Sequence, residues 1–278
     1  DGIVLHVSAG VAVAEPIHAL FLSSGIEPGL ASHPRNVLVA EANSRVMVIE
    51  QYASLGGAAT FTNTLTQLVV GEGAQVEHVR FQDEGPEAFH MGALRAVVAG
   101  SAQLAAHSFA LGARLSRQNI GLTLAGPGLE AILNGLYVTT EKRLADHHMV
   151  VDHAQPHCAS HEYFNGILSG QSRGVFHGRI LVRPDAQKTD AKQTNKNLLL
   201  SNSASVNTKP QLEIYADDVK CSHGATIGQL NPESVFYLRT RGLPVETARR
   251  MLIHAFAGEI IDRVQCGPVR QALDRLVW

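Results

Sequence analysis

Charge and aromatic side chains are scarce in this sequence. Of its 278 residues, 17% are Asp, Glu, Lys or Arg and 5% are Phe, Trp or Tyr, where an ordinary globular domain carries roughly 25% charged residues. That shortfall argues against long, charge-laced helices and favours many short strands and turns built from Gly, Ala, Val, Leu and small polar residues. A formal net charge of −2 gives no broad basic field for nucleic acid or an anionic membrane. Cysteine is scarce as well. Cys158, Cys221 and Cys266 are odd in number and widely spaced, so they make no disulfide framework and fit a reducing compartment such as the cytoplasm. No G-x-x-x-x-G-K-[ST] occurs, so the chain carries no Walker ATPase of its own. "GEG" and "AGPG" are too short to cradle a phosphate. The opening "DGIVLHVSAGVAVAEP" lacks an initiator Met, a basic n-region and an uninterrupted apolar run. It is read as neither a signal peptide nor a membrane anchor, and the chain as a piece of something longer.

What is present is short apolar alternation broken by Gly, Asn, Asp and Pro, from residue 1 to about 228. "GIVLHV", "NVLVAEANSRVMVIEQYA" and "TNTLTQLVVGEGAQVEHVRF" fit strands of about five residues. The stretch is large for one β-sandwich, and its spacing suggests coils of roughly 20 residues, so a parallel β-helix is the better solution. The run "QTNKNLLLSNSASVN" suits stacked coils, because Asn side chains can ladder between turns. From about residue 230 onward the sequence changes character. Asn231 reads as an N-cap before Pro232, with a stop near Gly242. A second helix follows Pro244, with Ala248, Met251, Leu252 and Ala255 at i, i+3, i+4 and i+7. A third follows Gly267 and Pro268. The expected division is a β-helix core over 1–229 and a helical region over 230–278.

Three clusters and this tail carry candidate chemistry. In "YADDVKCSHGATIG", Cys221 and His223 are two apart, so on a strand they share a face. A thiolate and an imidazole so placed suit one metal ion or one edge of a cluster. They equally suit a buried thiol beside a hydrogen-bonded His. Two donors do not hold iron or zinc tightly, since four are usual. The second cluster, His147, His148, His153, His157, Cys158 and His161, matches no zinc spacing. It leaves open a weak surface metal site or side chains scattered over the coil faces. Arg173, Lys188, Lys192 and Lys196 suit either an anion or a solvated face. The helical tail suits either capping of an open solenoid end or docking of a partner.

The long stretch "SRGVFHGRILVRPDAQKTDAKQTNKNLLLSNSASVNTKPQLEIYADDVKCSHGATIGQLNPESVFYLRTRG", with "VDHAQPHCASHEYFNGILSGQSRGVF" before it, resembles the SufB/SufD family of iron–sulfur cluster assembly proteins. "YADDVKCSHGATIGQL" looks like the SufD branch. The resemblance is specific from about residue 134 to 264 and weaker but compatible before that. It implies a mainly β chain, a right-handed parallel β-helix (solenoid), with a small C-terminal α-helical region. It further implies a non-catalytic scaffold that pairs with a SufB-like subunit and binds a SufC-like ABC ATPase through its C-terminal helices. An iron–sulfur cluster, transient and shared with the partner, is the implied cofactor; a flavin in the complex is compatible but not legible here. By position, the imidazole of the interface site falls on His223, with Cys221 its neighbour. The docking helices, at about 231–264, put Phe236, Leu238, Arg239, Arg249, Met251, Leu252, Ala255 and Phe256 at the ATPase contact. The resemblance also moves the histidine cluster towards a structural role. It places the chain in the cytoplasm, or in a plastid stroma if the source is photosynthetic.

This sequence departs from the family in two respects. The usual N-terminal helical region is absent, and so are the cysteine-rich segments of many SufB-like proteins, so a complete cluster on the lone chain is not expected. Other readings of a β-helix are a carbohydrate-active enzyme, which predicts secretion, and a metal-free homodimeric structural protein.

Overall fold

The computed structural model describes residues 2–277. In chain order the first strands are β1 (Val4–Val7), β2 (Ile17–Ser23), β3 (Ala31–Ser32), β4 (Arg35–Ala40), β5 (Arg45–Ser54), β6 (Phe61–Val70), β7 (Gln75–Asp83), β8 (Phe89–Val98) and β9 (Gln103–Ala110). They continue as β10 (Leu115–Leu124), β11 (Glu130–Thr139), β12 (Leu144–His153), β13 (Ala159–Leu168), β14 (Arg173–Val182), β15 (Asp190–Leu199), β16 (Ser205–Ile214) and β17 (Lys220–Gly228). Three helices follow, α1 (Pro232–Thr240), α2 (Val245–Ile261) and α3 (Gly267–Val277).

Alternate strands pair in parallel. Sheet A runs β1-β4-β6-β8-β10-β12-β14-β16, with β3 also beside β6, and sheet B runs β2-β5-β7-β9-β11-β13-β15-β17. Each coil therefore gives one strand to each sheet, and the chain is a β-solenoid of about eight turns. The coils are longer than the sequence spacing suggests. A coil that begins at Leu115 comes round again at Leu144, and then at Arg173. The shortest step runs from Phe89 to Leu115 and the longest from Val4 to Val37. Most strands are also about twice the expected length, with ten residues in β6, β8 and β10. The cause is chemical. Inward positions such as Thr62, Thr64 and Thr66 on β6, or His78, Arg80 and Gln82 on β7, are buried yet polar, so one long strand reads as two short apolar ones.

Those polar residues are not distributed at random. Inward residues late in the sheet A strands meet inward residues early in the sheet B strands and form an apolar lobe, including Leu68, Val70, Leu122, Leu124, Val46, Val76 and Leu104. The opposite lobe is polar near the N-terminus. There Glu50 accepts from Thr66 at 2.8 and 2.9 Å and Tyr52 meets Thr64 at 2.8 Å. Burial opposes ionisation of Glu84, but hydrogen bonds from His90, Thr62 and Gln82 hold its carboxyl below the usual range. Buried polar groups paired in this way fix the register of the stacked coils.

Corners stack as closely as the strands. A Cβ on Gly126 would lie 2.0 Å from the backbone nitrogen of Gly100 in the preceding coil; only a hydrogen fits there. The Asn-rich run does link coils, but through backbone groups. Asn195 donates to the Phe164 carbonyl of the preceding coil at 3.0 Å, and Asn197 donates to the Thr226 carbonyl of the following one at 3.4 Å.

The helices lie along the side of the solenoid. Ala257, Ile260 and Ile261 of α2, with Val269 and Leu273 of α3, pack on outward residues of sheet B, among them Phe109, Leu136 and Ile167. The face of α2 buried here differs from the one its apolar spacing marked. Ala248 is buried, but Met251 and Ala255 are exposed, because contact with the sheet comes from the C-terminal half of the helix. Among the described residues no helix is long and apolar enough to cross a membrane.

Candidate functional site

Strands β16 and β17 end their respective sheets, so each has a neighbour on one side only. Together they form the rim of the last coil. Register places Cys221 of β17 beside Ala191, and His223 beside Gln193. Ala191 and Gln193 are buried inward residues, so Cys221 and His223 share the inward face. The thiol is half-buried against a cluster of Ile180, Val182, Ala186, Ala191 and Ala216. His223 is exposed at the mouth. Burial pushes the Cys221 thiol up, and the carboxyls of Asp190 and Glu162 push it further. An uncharged thiol is a poor ligand until a cation arrives to displace its proton.

Among the described residues, no three or more His, Cys, Asp and Glu side chains are grouped so as to hold a metal ion. The acidic pair before Cys221 does not supply the missing donors. Asp218 is ion-paired with Lys188 in the preceding corner, and its backbone nitrogen donates to Gln187 at 2.9 Å. Three large apolar side chains, Ile214, Tyr215 and Ile227, are exposed around the rim.

One residue near this site gave no sequence signal. Glu162 lies in the inward lane of sheet B, beside Gln193, with 0% of its surface exposed. Neither carboxyl oxygen has a hydrogen-bond partner of good geometry. Burial pushes its pKa up to about 8, with Ser160 and Gln193 near enough only to moderate the effect. Strand alternation in "ASHEYFNG" puts Ser160, Glu162 and Phe164 on one face but does not tell that this face is the inward one.

The histidine cluster scatters. His147 and His153 point inward and are buried, and burial lowers their pKa values to about 3 and about 4. His148 faces outward on sheet A, and His161 outward on sheet B, while His157 occupies a corner with φ of 60°. Cys158 is buried, its Sγ donating to the Gly126 carbonyl at 3.3 Å. The neighbouring cations are mostly paired: Lys192 with Asp190 at 3.1 Å, and Lys196 with Glu259 at 2.8 Å. Residues Gly170 to Gly174 spell G-x-S-x-G, but Ser172 is fully buried at the corner between β13 and β14 and bonded to Thr139 at 3.0 Å. That is no strand-to-helix nucleophile elbow.

Beyond β17 the chain passes through Gln229, Leu230 and Asn231 into α1. Asn231 caps the helix by accepting from the Glu233 nitrogen at 2.8 Å. The helix buries none of its residues fully, and Phe236 is 66% exposed. Leu238 is half-buried, and Arg239 and Arg249 are exposed. On α2, Met251 is 47% exposed, while Leu252 and Phe256 are half-buried. Phe256 also packs against the sheet B cluster, and its carbonyl accepts from Asn165 at 3.0 Å.

Comparison with known proteins adds to this geometry. The profile of the SUF system FeS cluster assembly SufBD core domain matches residues 21–256. An iron–sulfur cluster assembly SufBD family protein of Synechocystis sp. is 35% identical across all of this chain and 63% of its own length. The iron–sulfur cluster assembly protein SufD of Escherichia coli is 35% identical over 95% of this chain and 63% of its own length. A chloroplastic protein of Arabidopsis thaliana, ABCI7, is 31% identical over 95% of this chain and 57% of its own length. The chain thus spans about three fifths of the curated relatives it matches.

Proposed function

Because the chain belongs to the SufBD family of the SUF system for iron–sulfur cluster assembly, we propose that it is a non-catalytic scaffold that lends donors to a cluster shared with a second subunit. His223 is the principal donor and Cys221 its neighbour. The cluster is cargo, formed at the seam with a SufB-like subunit and passed on. One observation carries this reading: two soft donors share the inward face of an edge strand, at a rim where no third donor among the described residues joins them. An unpaired edge is a template for another strand, and a partner rim laid on it brings its own ligands across the seam.

The helices support the second half of the proposal. Gln229, Leu230 and Asn231 join the donor strand directly to α1, and α1 with the N-terminal half of α2 leaves Phe236, Arg239, Arg249 and Met251 outward. A SufC-like ATPase docked there pulls on the strand that carries the donors, so nucleotide-driven motion reaches the seam through that short link.

The test is His223→Ala in the assembled complex. The heterodimer should form normally, while iron and sulfide bound after anaerobic reconstitution fall. An unchanged cluster yield overturns the donor assignment, and a full stable cluster on the isolated chain overturns the shared site.

A further inference from the structure

The outer face of sheet A carries a second arrangement that this function does not use. Outward positions of the ladder align in rows across the strands. One row reads Arg95, Gly121, Val150, Arg179 and Gln211, and the adjacent row contains Asn119, His148, His177 and Lys209. Between them lies a cleft of about 520 Å³, lined by Arg95, Asn119, Gly121, His148, His177 and Arg179, among others. That volume is within the range of small-molecule sites.

The cleft exists because Gly121 has no side chain. A Cβ there would come within 2.9 Å of the Arg95 Nη1 and 3.3 Å of its Cζ, so the Arg95 guanidinium lies low across the glycine and points along the row. Its hydrogen bond goes to its neighbour's carbonyl, Leu94, at 3.3 Å, and no carboxylate lies within ion-pair distance among the described residues. Arg179 approaches from the other side and leans on Glu213 at a long 3.5 Å. Both line the cleft, and their Cα atoms are three strand spacings apart, about 14 Å, a span that leaves room between the side chains for a bridging group. The imidazoles of His148 and His177 meet edge to face at 5.2 Å and wall the cleft, with His148 steadied by Asp146 at 2.9 Å.

Charge is biased in the same direction. Outward strand positions of sheet A from β8 to β16 hold five cations, Arg95, Arg117, Arg173, Arg179 and Lys209, against three carboxylates, Asp146, Asp152 and Glu213, in a chain whose net charge is −2. Two of those carboxylates are engaged by other arginines, Asp146 by Arg117 at 2.7 Å and Asp152 by Arg183 at 2.7 Å. Guanidinium forks match phosphate oxygens in charge and geometry. We propose that this cleft is a binding site for a small molecule carrying a diphosphate, held between Arg95 and Arg179 with the imidazoles of His148 and His177 alongside.

Titration of the intact chain with inorganic pyrophosphate, followed by calorimetry and by backbone amide shifts, tests the proposal. Saturable one-to-one binding is expected, with shifts centred on Gly121 and Val150 and weaker binding of orthophosphate. Arg95→Ala and Arg179→Ala should each weaken it at least tenfold, since each removes a charge-assisted pair. Gly121→Ala should weaken it by lifting Arg95 out of the row. Arg173→Ala, on the same face but outside the cleft, should leave it unchanged. No saturable binding, shifts away from this face, or an equal loss in the Arg173 variant overturns the proposal. Should a variant fail to fold, the amide shifts of the unmodified chain still decide the case.

Discussion

Glu162 and His223 occupy the same inward lane of sheet B, two coils apart, with Gln193 between them. The lane passes from a sealed carboxyl to an open imidazole, and the carboxyl is the clearest electrostatic anomaly near the rim. Its pKa is pushed up to about 8 in the folded chain, against about 4.3 for an unperturbed Glu. The folded state therefore holds a proton that the unfolded state releases.

Stability should accordingly fall as pH rises. The pH-dependent cost of the carboxyl is absent below about pH 4, grows by up to about 1.4 kcal/mol per pH unit until about pH 8, then levels off. Glu162→Gln should abolish this component and raise the urea midpoint at pH 8 while changing little at pH 4. Parallel midpoint-against-pH curves for the two proteins would refute a protonated Glu162.

Cys221 should alkylate more slowly at pH 8 than a free cysteine, because burial and the nearby carboxyls of Asp190 and Glu162 raise its pKa and only the thiolate reacts. Asp190→Asn should speed the reaction, and a bound partner rim should suppress it. A rate equal to that of free cysteine, measured by mass spectrometry of the peptide containing Cys221, would contradict the packing described.

The two faces of the helical tail should separate by mutation. Ile260→Ala, in the face buried on sheet B, should cost about 2–5 kcal/mol of stability. Phe236→Glu and Met251→Glu, on exposed positions, should change stability by no more than about 0.5 kcal/mol yet reduce retention of a SufC-like ATPase. Thermal melts and co-purification distinguish the outcomes, and normal retention by both Glu variants would refute the docking assignment.

Gly126→Ala should be among the most damaging single-methyl changes in the chain. The added carbon meets Gly100 backbone at 2.0 Å, and two stacked corners cannot both give way. A melting temperature indistinguishable from that of the unmodified protein would mean that the corners are not in contact.

Local signals in the sequence announced the strand-rich body and its helical tail, while the parallel β-helix rested on the length of the strand-rich stretch and on the family resemblance. Asn231 and Pro232 mark the start of α1 because a cap and a fixed φ act within a few residues. Alternation in "YADDVKCSHG" likewise places Cys221 and His223 on one face. Coil length was not legible, since no short-range signal separates a polar inward Thr64 or Arg80 from a polar loop residue. Glu162 was hidden for the same reason, because whether a carboxyl faces solvent or the lumen depends on a strand one full coil away. The buried face of α2 escaped because sheet B, not the helix's own spacing, chooses which residues are covered.

Stacked coils hold one another in place only through their neighbours, and the last coil has a neighbour on one side. Amide protons of β16 and β17 should therefore exchange with solvent sooner than those of any interior coil. The turn that carries Cys221 and His223 is then also the easiest one to peel away, so under the donor role proposed above the same fraying would offer a release route that leaves the rest of the stack intact.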